Sequence, residues 1–97
     1  MIIGLKKFGT TLISREFGRE AFLALQPTIK NLKEGEMVEV GFDGVLTFSP
    51  GWGDEFLTPL LNQLNDKLML LPSDNLSVHA TLEILQEANK RLFKMKS

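Results

Sequence analysis

Short apolar runs alternate along this chain with longer segments whose apolar residues recur at helical spacing, and that alternation narrows the fold more than any other feature. Val38, Val40 and Phe42 alternate with Glu39 and Gly41 across Met37–Phe42, the period-two pattern of a strand. Lys67–Leu71 (Lys-Leu-Met-Leu-Leu) is a nearly continuous apolar run, expected of a central strand covered on both faces. Met1–Lys7 reads as a first strand, with Ile3 and Leu5 on one face and Ile2 and Gly4 on the other. Between these lie helical faces. Phe17, Ala21, Leu25, Ile29 and Leu32, with Phe22 beside them, form the first; Phe56, Leu57, Leu60, Leu61 and Leu64 form the second. Val78, Leu82, Leu85, Ala88 and Leu92 form the third, over about Leu76 to Phe93. Strands joined by helix-length crossovers pair in parallel. Three or four strands are too few for a doubly wound sheet, so the expected class is α/β: a small, mostly parallel sheet of three or four strands with three helices mainly on one face, in strand–helix–strand–helix–strand–helix order.

Local signals place the element ends. Ser14 is a candidate N-cap with Glu16 in the first turn behind it, and Asn75 or Ser77 could cap the last helix. Pro27 predicts a kink or a helix end just before it, with a short turn on to Leu32. Pro59 is tolerated if its helix starts near Trp52 or later. Phe8–Thr11 and Asp43-Gly44 turn the chain, and Val45–Phe48 adds a short extended piece. The basic cluster Lys90, Arg91, Lys94 and Lys96 reads as the last turn of a helix complementing its dipole.

Bulk properties remove several function classes. The 97 residues fit one domain, 1–97. A net charge of −1 argues against electrostatic nucleic-acid binding. No apolar run is long enough to span a bilayer, and Met1–Lys7 lacks the form of a signal peptide. With no cysteine there is no disulfide or thiolate chemistry, which together with these features suits a cytoplasmic chain. No metal-ligand spacing and no phosphate loop with its lysine is present, so no cofactor is expected. The sole histidine, His79, has no relay partner in its neighbourhood, and the chain is read as a non-enzyme.

The most unusual stretch is Phe42–Phe56, where a strand delivers the chain to a helix start holding Ser49, Pro50, Gly51, Trp52, Gly53, Asp54 and Glu55. Capping accounts for the serine, the proline and the two acidic residues. It does not account for two glycines flanking a tryptophan, since each glycine costs a helix about 1 kcal/mol against alanine. Either Trp52 is core or it faces a partner across a helix start whose free N–H groups could also receive an anion.

The motif Leu12–Ala21 (Leu-Ile-Ser-Arg-Glu-Phe-Gly-Arg-Glu-Ala), with Phe42-Asp43-Gly44-Val45 and Ser49–Phe56, resembles the STAS-like domain family of unknown function. The likeness covers about Gly9 to Lys90 and is most specific in its second part. Through that family the chain is more remotely similar to STAS anti-sigma-factor antagonist domains. These are small α/β domains that bind an ATP-binding kinase-like partner and are switched by phosphorylation of a serine at this helix start. The resemblance places Gly51 where that serine would stand, so no phospho-switch is expected at this position. It implies a regulatory, protein-binding module that engages its partner through Ser14, Arg15, Ser49, Pro50, Gly51, Trp52, Asp54 and Glu55. Arg15 could reach a carboxylate such as Asp54 on the neighbouring helix start. The alternative is a small-ligand or nucleotide site using the same N-terminus with Arg15 as an anion pocket, and a homodimer is a third possibility.

Overall fold

The structure, a computed structural model, describes Met1–Ser97. Its centre is β3 (Val38–Gly41), which pairs in parallel with β1 (Ile2–Gly4) on one side and β5 (Leu68–Leu70) on the other. The register runs Ile2–Glu39–Met69 and Ile3–Val40–Leu70 across the three strands. Alternation then decides which face is covered: Ile3, Val38, Val40, Leu68 and Leu70 are all buried, whereas Ile2 and Gly4 on the opposite face are exposed. A second parallel pair joins β2 (Thr11–Leu12) to β4 (Thr47–Phe48). Three helices complete the α/β fold: α1 (Arg15–Lys30), α2 (Pro50–Leu64) and α3 (Leu76–Asn89). α1 packs most extensively on α2, and α2 packs in turn on α3. A single hydrophobic cluster draws residues from Ile3 to Phe93. No helix is long and apolar enough to cross a membrane.

Several elements depart from the pattern of the sequence. The first strand stops at Gly4, and a turn of 3-10 helix over Leu5–Phe8 follows; Leu5 is buried all the same. The run at Lys67–Leu71 is not central. Its strand, β5, lies at the edge beside the C-terminal segment, with Met95 opposite Leu70. α1 continues through Pro27 to Lys30. The missing N–H deprives only the Leu23 carbonyl, and because Leu23 and Pro27 are both exposed, water can serve that acceptor. α2 begins at Pro50, which leaves Pro59 inside it rather than near its start.

Burial also corrects two helical faces. In α1 the buried stripe is Gly18, Ala21, Leu25 and Ile29, and Phe17 is 65% exposed. In α3 the helix ends at Asn89, where Lys90 adopts a left-handed conformation (φ 53°) and donates to the Gln86 and Glu87 carbonyls. Ala88, within the last turn, and Leu92, beyond it, are both exposed, and Phe93 enters the core after the chain has turned back. The basic residues beyond Asn89 lie outside any helix: Arg91 donates to Asn62 and Asn65, and Lys96 pairs with Glu39.

Candidate functional site

The start of α2 is fixed from several sides. Ser49 Oγ accepts from the Trp52 N–H at 3.3 Å and donates to the Ile13 carbonyl at 3.1 Å, while the Ser49 N–H reaches the Leu12 carbonyl at 2.9 Å. Pro50 occupies the first helical position, where its lack of an N–H costs nothing. Phe48, one residue earlier, is held through its N–H by Ser77 Oγ and through its carbonyl by Thr81 Oγ1 at 2.6 Å. Ser14 Oγ caps α1 by accepting from the Phe17 N–H. Both serines of the candidate site are thus committed as caps.

Trp52 is core. It is 1% exposed, stacks on Phe56 with ring centroids 4.9 Å apart, and meets Phe48 edge-on at 5.8 Å. Its flanking glycines have packing reasons. A Cβ on Gly53 would come within 3.0–3.1 Å of Phe48, Leu85 and Thr81, and one on Gly51 would lie 2.9 Å from Arg15 Cγ. Gly18 of α1 is tighter still, because a Cβ there would stand 2.5 Å from the Trp52 carbonyl oxygen. Close helix crossing and a buried ring account for the Gly-Trp-Gly sequence. Trp52 therefore does not belong among the partner-contacting residues expected from the sequence, since a ring with no accessible face cannot touch a partner.

The structure does bring Arg15 to the α2 start. Its side chain lies across Gly51, and Nη1 stands 2.9 Å from Asp54 Oδ2 and 3.4 Å from Glu55 Oε2. Asp54 is steadied by Thr58 Oγ1, which donates to its other oxygen at 2.9 Å. The hydrogen bond to Asp54 is the main reason that the Arg15 guanidinium is held above its ordinary pKa; partial desolvation opposes this, and the charges of Asp54 and Glu55 reinforce it. Adjacent helical positions point about 100° apart, yet a single guanidinium nitrogen, Nη1, reaches both carboxylates.

This arrangement bears on an anion pocket. Pro50 has no N–H, and those of Trp52 and Gly53 are taken by the Ser49 side chain and carbonyl. Asp54 and Glu55 both lie within 3.4 Å of Arg15 Nη1. An incoming anion would have to compete with them for Arg15. His79 lies elsewhere, its ring in contact with the Ser73 carbonyl.

Sequence reasoning missed Ile13 and Phe17. They are 59% and 65% exposed and flank Ser14-Arg15 in the chain. Gly18 was the available signal: a glycine placed early in an apolar helical face marks the line of close contact, and that line runs about 100° away from Phe17. A groove of about 400 Å³ between α1 and α2 extends the same surface, lined by Asp54 and Glu55 together with Arg19, Phe22, Leu23 and Pro59. Compared with protein-family models, with curated proteins and with solved structures, the chain has no match.

Proposed function

We propose that this chain is a non-enzymatic, cytoplasmic regulatory module of STAS-like type that binds a partner protein, an ATP-binding kinase-like regulator, at the end of the molecule where α1 and α2 begin. The supporting observation is the pair of exposed apolar side chains, Ile13 and Phe17, in the chain segment that also carries Arg15, whose guanidinium meets Asp54 and Glu55. Exposed aromatic and apolar side chains next to an arginine are the usual composition of an interface anchor. The contact set is then Ile13, Ser14, Arg15, Phe17, Ser49, Pro50, Gly51, Asp54 and Glu55, with Trp52 as the buried support beneath. Gly51 carries no hydroxyl, so control of binding would come from the partner or from another site. An anion or nucleotide pocket at the same place is the weaker reading, because the helix start has few free donors and two carboxylates.

The test is affinity capture from the native lysate with three baits: the wild-type chain, an Ile13→Glu/Phe17→Glu variant, and Leu92→Glu as an exposed control. A captured protein with an ATP-binding domain should be lost from the double variant and retained by the control. Retention of every captured protein by a folded double variant would overturn the proposal.

A further inference from the structure

Asp43-Gly44, between β3 and β4, is the one place in the chain where an aspartate or asparagine precedes a glycine. The two residues form the centre of a turn closed by the Val45 N–H, which donates to the Phe42 carbonyl at 3.0 Å. Gly44 has φ 83° and Asp43 does not share that left-handed conformation, so the turn is of type II. Both residues are exposed, and beside them lies an open depression of about 440 Å³, walled on its far side by Pro72, Ser73 and Asp74. The Asp43 carboxylate has no cation within ion-pair distance, although the Lys6 stem runs against Gly44. The Gly44 N–H donates to no acceptor in the protein. The other aspartates differ. Asp54 is held by Arg15 and Thr58, and Asp66 and Asp74 are followed by Lys67 and Asn75, whose side chains crowd the nitrogen that glycine leaves open.

A free carboxyl beside a free and unhindered backbone nitrogen has a chemical outcome. Type I and type II turns share their closing bond and differ in the orientation of the central peptide, here the one between Asp43 and Gly44. That peptide turns over without loss of the bond from Val45 to Phe42, and its rotation carries the Gly44 nitrogen past the Asp43 carboxyl carbon. We propose that Asp43-Gly44 is a site of spontaneous backbone modification, at which Asp43 becomes isoaspartate through a cyclic imide. The Gly44 nitrogen bonds to Asp43 Cγ and gives up its proton, and the carboxyl hydroxyl leaves with that proton as water. A water molecule then adds to one of the two imide carbonyls. Opening at Cγ restores aspartate. Opening at the main-chain carbon breaks the original peptide link, so that the chain runs on through Cβ and Cγ and a free α-carboxylate remains. Water is the sole co-reactant. The product lengthens the backbone of the turn by one carbon. Its effect reaches α3, because the neighbouring Val45 and Leu46 carbonyls accept from Asn75, the cap of that helix. The proposal is independent of the surface around Arg15.

The experiment stores the full chain in mildly acidic buffer below its melting temperature, with samples digested for mass spectrometry over several weeks. The fragment bearing Asp43 should appear first one water lighter. It should then appear as a second species of native mass that elutes separately and resists an aspartate-specific protease at position 43. Asp43→Glu, which would have to close a larger ring, should show neither species. Aged wild type should melt below fresh protein, and aged Asp43→Glu should not. Asp43→Asn loses ammonia in place of water and should reach the same isoaspartate faster, so it decides the matter if wild type reacts too slowly to follow. A synthetic peptide of residues 38–48 shows the chemistry without the fold. Accumulation in that peptide but in neither folded chain would overturn the proposal, as would modification spread equally over Asp43, Asp66 and Asp74.

Discussion

Gly18→Ala is the sharpest test of how α1 meets α2, because two simple arguments predict opposite signs. In an exposed helix interior, alanine is favoured over glycine by about 1 kcal/mol. At Gly18 the added methyl would stand 2.5 Å from the Trp52 carbonyl oxygen and 2.9 Å from Trp52 Cα. Comfortable contact needs about 3.5 Å, so the two helices would have to part by roughly 1 Å. The obstructing atoms are backbone and cannot rotate away. Overpacking of this kind costs about 1–3 kcal/mol, and a rigid obstacle puts it in the upper half of that range. Set against the propensity gain, the net loss is about 1–2 kcal/mol. For a domain of this size it corresponds to a fall in Tm of about 5–15 °C. Urea unfolding followed by the fluorescence of Trp52, the one tryptophan, and by far-UV circular dichroism measures it. Gly4→Ala is the control, since nothing lies within 4 Å of a Cβ there, and its φ of −87° suits any residue. That variant should match wild type or exceed it by about 0.5 kcal/mol. A Gly18→Ala midpoint equal to or above wild type would refute the close-crossing argument.

Three further outcomes are expected. Trp52→Ala should cost about 3–5 kcal/mol, enough to remove much of the near-UV dichroism and thermal transition of a domain this small, because the ring is 1% exposed among Phe8, Phe48 and Phe56. Asn75→Ala should cost about 2–3 kcal/mol in urea titration. Asn75 Oδ1 accepts from Ser77 N–H and Val78 N–H, while Nδ2 donates to the Val45 and Leu46 carbonyls, so Asn75→Asp, which keeps only the acceptor, should recover about half of that loss. Glu36 is held below its ordinary value of 4.5, chiefly by the Lys33 N–H, with the N-terminal ammonium assisting. A depressed folded pKa contributes stability above the unfolded value and loses it as pH falls through the folded one. The gap between wild type and Glu36→Gln in thermal melts should therefore be full at pH 7, shrink below 4.5 and vanish at lower pH.

The sequence disclosed those parts of the fold in which one local rule had no competitor. Val38–Gly41 alternates without interruption and is a strand; Ser14, Ser49 and Asn75 each precede a helix and cap it. Legibility failed where a tertiary partner decided the outcome. The extended pattern of Met1–Lys7 persists in burial beyond the strand, because a 3-10 turn still carries Leu5 inward. Lys67–Leu71 looks central on hydrophobicity, but its burial comes partly from the terminal segment, whose Phe93 returns from beyond a left-handed Lys90 that no periodicity announces. Thr11–Leu12 is too short to read as a strand alone and exists as one through its pairing with Thr47–Phe48.

The candidate site was legible in its charges and misread in its glycines. Arg15 and Asp54 come together as electrostatics suggested, since two helices that begin side by side place a first-turn cation near a carboxylate one turn into the neighbour. Gly51, Trp52 and Gly53 looked like a surface awaiting a partner because a glycine that admits a close approach has the same signature whether the approaching group belongs to another molecule or to the chain itself. Here the chain supplies every neighbour: Arg15 over Gly51, Phe48 and Leu85 against Gly53, and Gly18 opposite Trp52. A glycine therefore argues for a partner only after its intramolecular neighbours have been counted. By that measure the case for binding at this end moves off the tryptophan. It rests on Phe17 and Ile13, two exposed apolar side chains four residues apart in the chain.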